Sequence, residues 1–96
     1  MITVEELRNY LGVDSDSDPE IKTARDAALE ELKRVTGVNW ENAQNCSVAN
    51  EAVQAMVYLN YWGIRDSAKN TEFLQKHINK KIKLLQNSEE AQNGIQ

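Results

Sequence analysis

The stretch NEAVQAMVYLNYWGIRDSA, residues 50–68, reads as a helix that is apolar almost all the way round. At about 100° per residue, Ala49, Val53, Met56, Val57 and Ile64 define one apolar face, and Ala55, Tyr58, Leu59 and Trp62 lie broadly opposite. Such a helix has to be covered on more than one side. The chain has 96 residues, enough for one domain with a modest core but near the size at which a single core is only marginally sufficient. The surplus of apolar surface on this helix therefore raises self-association. Asn60 falls in the middle of the Val53, Val57 and Ile64 face, where it is expected either to leave the face partly wet or to fix register as a buried amide.

Outward from this segment, the punctuation defines three more helices. Thr3 followed by Glu6 is a capping box, Val4, Leu7 and Leu11 recur at helical spacing, and Gly12 supplies the stop, so a first helix is expected over residues 4–11. Asp18 is a good N-cap and Pro19 suits a first helical position. A second helix is therefore expected from Pro19 to Thr36 and Gly37, with Ile21, Ala24, Ala28, Leu32 and Val35 as its apolar stripe. Residues 38–47 lose the helical period and gather Asn, which predicts a free loop with Trp40 folded back as an anchor. The long third helix is expected to be capped by Ser47 or Asn50 and to run to about Asp66. Thr71 is then expected to cap a fourth, with Leu74, Ile78, Ile82 and Leu85 on one stripe and Lys76, Lys80 and Lys83 on the other. No segment alternates with period two. The fold class is all-α: a compact bundle of about four helices with a long central third helix, one domain over residues 1–87 and a polar, mobile tail over 88–96.

Composition narrows the function classes. The chain is 41% hydrophobic and 27% charged with a formal charge of −4, globular in character and poorly suited to gripping phosphates. Its single cysteine, Cys46, has no internal disulfide partner and no metal-ligand spacing around it, and reads as an inert thiol in a loop or interface. No segment reaches the ~18 apolar residues of a membrane span, and Glu5 and Glu6 stand where a signal peptide would be basic and then apolar. A soluble protein made in the cytoplasm is expected, with no membrane partner.

Several residue sets fail as chemistry. Asp14, Asp16 and Asp18 open like a calcium loop, but Pro19 and Arg25 occupy the places of its required Gly and bidentate Glu. His77 is the only histidine. It has no second ligand at helical spacing and no neighbouring nucleophile, so it reads as a boundary residue of the fourth helix. There is no phosphate loop and no nucleophile elbow. The expectation is a non-enzymatic protein with no catalytic, cofactor or metal site. The lysine stripe Lys76, Lys80 and Lys83 reads as a solvated helix face or, more sharply, as a contact surface for an acidic partner or for DNA passing close by.

Three motifs carry a family resemblance: ITVEELRNYLGVDSDSDPEIK at the start, AALEELKRVTGVNW at the end of the second helix, and NEAVQAMVYLNYWGIRDSA. In this order and spacing, over about two thirds of the chain, they resemble the small head-to-tail connector (adaptor) proteins of tailed bacteriophages. Gly63 stands where members of that family often carry a Tyr after the Trp, and the fourth helix follows no family pattern. The resemblance implies a structural virion protein at the head-to-tail junction. Copies would form a ring that docks on the portal protein and extends the channel to the tail or stopper, with genomic double-stranded DNA passing without specific binding.

On that reading helix two, one face of helix three and helix one form the core. Tyr58 and Trp62, with Tyr61 on the flank, pack on helix four or on the neighbouring subunit, and the subunit or partner interface comprises Tyr58, Tyr61, Trp62, Lys76, Lys80 and Lys83. A ring neighbour would cover the second apolar face of helix three, the 38–47 loop and the tail would order on meeting other rings, and the tail would contact the portal. Trp62→Ala is expected to cost about 3 to 5 kcal/mol. Two other classes fit an acidic helical chain: a small regulator or antitoxin-like binding protein, and a terminase small subunit-like DNA-packaging component using helix four.

Overall fold

Thr3 opens the first helix as the sequence predicts. In the computed structural model, which describes residues 1–41, 46–63 and 65–88, its hydroxyl accepts from the Glu6 amide at 3.1 Å while the Glu6 carboxylate accepts from the Thr3 amide at 3.2 Å. Helix α1 spans Val4–Leu11 and α2 spans Asp18–Thr36, with Gly12 and Gly37 ending them in the left-handed conformation that a side chain disfavours. Helix α3 spans Ser47–Trp62 and α4 spans Ala68–Gln86. Among the described residues these four helices and one 3-10 turn, Ser15–Ser17, make up the regular structure, with no strand. The protein is an all-α bundle.

At three helix starts the residues expected as caps are used differently. Asp14 caps the 3-10 turn by accepting from the Asp16 amide at 3.1 Å, and α2 begins at Asp18 with Pro19 in its first turn. Asp18 is therefore not a cap; it pairs with Arg8 at 2.8 Å and ties α2 to α1. Helix α3 starts at Ser47 with Cys46 before it and no side-chain cap. Asn50, inside its first turn, accepts instead from the Ile2 amide at 2.8 Å. Helix α4 is capped by Ser67, which accepts from the Asn70 amide at 3.1 Å; the Thr71 amide bonds back to the Ser67 carbonyl, so Thr71 lies one turn inside.

Helix α3 also stops earlier than expected, at Trp62. The Arg65 amide bonds the Trp62 carbonyl at 2.9 Å, and Asp66 turns towards the start of α4. A Cβ at Gly63 would run into the carbonyl oxygen of Leu59. Any larger residue at this place would require the backbone to move.

Helix α3 is the centre of the bundle. It packs mainly on α4 and α2, and α1 packs on α2 and α3. Ala49, Ala52, Val53, Ala55 and Val57 are buried, and Met56, Tyr58, Leu59, Tyr61 and Trp62 are half-buried. Its alanines let α2 and α4 pack close, and Tyr10 of α1 meets Tyr58 on the aromatic side. Met56, Tyr58, Leu59, Tyr61 and Trp62 keep part of their surface exposed. Ile64 lies outside the described residues. Asn60 is exposed, so its amide is wet and fixes no buried register. On α2, Ile21, Ala24, Ala28 and Leu32 are buried as the stripe predicts.

The TGVNW segment is not a free loop. The Thr36 hydroxyl donates to the Leu32 carbonyl at 2.6 Å and accepts from the Val38 amide at 3.2 Å and the Trp40 indole N–H at 2.9 Å. Val38 and Trp40 are fully buried, and Glu41 pairs with Arg25 at 3.0 Å, whose Nε also donates to the Ile2 carbonyl at 2.6 Å. One hydroxyl thereby satisfies the donors that burial of this turn would otherwise orphan. Residues 42–45 and the 89–96 tail, with the portal contact expected of it, lie outside the described residues.

Candidate interaction surface

The six residues expected at an interface fall into two sets that use different surroundings. Tyr58 meets Tyr10 of α1 edge to face, with centroids 6.1 Å apart, and its hydroxyl donates to Asp66 at 3.1 Å. The Tyr61 hydroxyl bonds that of Ser17 at 2.8 Å. Trp62 packs edge-on against Tyr61 at 4.9 Å, and the Arg65 guanidinium lies 5.6 Å from its ring centroid. Tyr58 thus meets α1 through Tyr10, and Tyr61 meets the 3-10 turn through the Ser17 hydroxyl. Trp62 is half-buried and lies outside the fully buried core, so within one subunit the core route to a cost of several kcal/mol is closed. Trp62→Ala is expected to lower stability by about 1 to 2 kcal/mol in a denaturant titration.

Asp66 is the polar joint between α3 and α4. Its carboxylate is held below the usual range by the backbone N–H of Ser67, then by the Asn70 amide and the Tyr58 hydroxyl. Glu51 is lowered in the same sense by the ammonium of Lys81, which bridges α3 to α4. A carboxyl whose folded pKa is depressed contributes stability above its unfolded pKa, and that contribution disappears as pH falls through the folded value. Thermal midpoints are therefore expected to fall as pH drops below about 4.5. Asp66→Ala and Glu51→Gln should each make that decline shallower; an unchanged slope in both would count against this account.

The second set lies on α4. Ile78 and Leu85 are buried, and Leu74 and Ile82 are half-buried, Ile82 against the core. On the other side, within about 120° of the helix circumference at 100° per residue, stand Phe73, Leu84, Lys69, Lys76, Lys80 and Lys83, all exposed, with half-buried His77 among them. Phe73 is 68% exposed and Leu84 51%, unusual values for residues of their size. A shallow recess of about 270 Å³ on this face is lined by Phe73, Lys76, His77 and Lys80. Lys76 makes only a solvent-exposed pair with Glu72 at 3.4 Å, and Lys80 and Lys83 form no ion pair among the described residues. Periodicity alone exposes the lysines. The neighbouring Phe73 and Leu84 turn a solvated stripe into an amphipathic one; the inner-stripe periodicity does not contain them, and the sequence signal for them is their helical spacing with the lysines.

Charge is segregated along the chain. Residues 68–86 hold five Lys and one Glu, whereas residues 1–67 hold twelve acidic and six basic side chains. The exposed acids include Glu5 and Glu6 on α1, Asp14 and Asp16 on the turn, and Glu20 on α2. Among the described residues no cluster of three or more His, Cys, Asp or Glu could hold a metal ion, and no helix is long and apolar enough to cross a membrane. Cys46 is a free, half-buried thiol packed against the core. Comparison with known proteins finds no matching family, no matching curated protein and no matching solved structure.

Proposed function

We propose that this chain is a head-to-tail connector (adaptor) subunit of a tailed phage or prophage. It forms a ring beneath the portal and carries the channel to the tail or stopper, without catalysis or cofactor. The observation that carries this reading is a small bundle whose core is closed by its own helices and which still presents Phe73 and Leu84 on an outward basic helix. Phe73 and Leu84 stand eleven residues apart on one face of α4, about 16 Å along the helix, and with the recess beside Phe73 they support an extended assembly surface. The order of the three sequence motifs supplies the kind of assembly. Negative net charge suits a conduit that DNA crosses without adhering.

Mass against protein concentration, by light scattering and native mass spectrometry with negative-stain imaging, tests the reading. Rings with a central channel, formed alone or on adding purified portal, are the expected result. A strict monomer or dimer that never grows, with portal present, would replace it with a small regulator of antitoxin type. The α4 lysines support a second reading, a packaging component like a terminase small subunit, and steep salt-dependent affinity for duplex DNA would favour it.

A further inference from the structure

We infer that the outward face of α4 docks on the acidic α1 and 3-10 face of a second copy of this chain, with Tyr10 of one subunit seated against Phe73 of the next. The inference rests on the assembly reading above and assigns its surfaces. Three large apolar residues are exposed among those described: Phe73, Leu84 and Tyr10, the last 43% exposed. Two belong to the basic helix, and the third belongs to α1, on the same outward arc as Glu5 and Glu6. Each surface therefore sets exposed apolar side chains among charges mainly of one sign, with Glu72 beside Lys76 on one and Arg8 paired with Asp18 on the other, and the prevailing signs are opposite.

One copy does not join these surfaces to each other. Helix α1 packs on α2 and α3, α4 packs on α3 and α2, and no packed α1–α4 pair forms among the described residues. Complementary patches on different helices of one subunit make a head-to-tail contact, and such contacts repeat until they close into a ring or extend as a filament. The recess beside Phe73, lined also by Lys76, His77 and Lys80, offers a Tyr ring an aromatic edge and two ammonium groups. The acids around Tyr10 meet the same lysines. Opposite-sign rims speed encounter and set register, and burial of the aromatic pair slows release.

A charge swap tests the pairing. Lys76→Glu with Lys80→Glu makes both surfaces acidic, and Glu5→Lys with Asp16→Lys makes the opposite face basic. All four positions are exposed, and circular dichroism should show both variants folded. Each variant alone is expected to self-associate at least about tenfold more weakly than the parent chain at low salt. An equimolar mixture should recover assembly with the two variants alternating in native mass spectra. Should the lysine variant assemble like the parent, or the mixture fail to recover, these surfaces are not the contact although the connector reading stands. Loss of duplex DNA binding in the lysine variant with assembly unchanged would give the face to DNA and overturn the inference. A parent chain that stays monomeric at its solubility limit and with portal added would remove the connector reading itself.

Discussion

Trp40→Ala is expected to remove about 3 to 5 kcal/mol of stability, the largest loss any single substitution in this chain should produce. Trp40 is fully buried at the end of the TGVNW turn, and its indole N–H is satisfied by Thr36 at 2.9 Å. Truncation leaves a cavity the size of an indole and lets the Val38 turn lift away from α2. For a domain of this size the thermal midpoint should fall by about 15 to 25 °C. Trp40→Phe separates the two contributions. It keeps most of the packing, abandons the indole hydrogen bond and should cost about 1 to 2 kcal/mol. Equal losses in both variants would mean that the hydrogen bond, not the ring volume, anchors the turn. No loss in either would contradict the burial.

Leu7→Ala should follow with about 2 to 4 kcal/mol. Helix α1 has only eight residues, too few to persist by itself in water, and it is held by Leu7 and Leu11 against α2 and α3. Removing the Leu7 side chain takes out the fully buried member of that pair. Amide exchange in α1 should then approach that of an unprotected chain while α2 and α3 keep most of their protection. Because α1 carries Tyr10, Glu5 and Glu6, the variant should also lose self-association under conditions where Trp62→Ala retains it. Uniform loss of protection across all four helices would show instead that α1 is integral to the cooperative core.

Residues acting locally were legible in the sequence. The Thr3–Glu6 box, the stops at Gly12 and Gly37, and the stripes Ile21, Ala24, Ala28, Leu32 and Ile78, Ile82, Leu85 each depend on neighbours within one or two turns. Spacing therefore predicted them. The sequence by itself determined an all-α fold, a buried Trp40 and an outward lysine stripe, because periodicity decides which side chains share a face whatever covers it. It could not decide which polar group meets which helix end. Asp18, Asn50 and Asp66 are all competent caps or turn residues, and Arg8, the Ile2 amide and Tyr58, respectively, reach them from another helix turn or another element. Only the tertiary structure decided how much of α3 the other helices cover, with its aromatic side left half-buried, and that the exposed large apolar side chains are Phe73 and Leu84 of α4 and Tyr10 of α1. The reason is physical: the amount of surface a helix needs covered is written in its own residues, while the surface available to cover it depends on where α1, α2 and α4 come to rest.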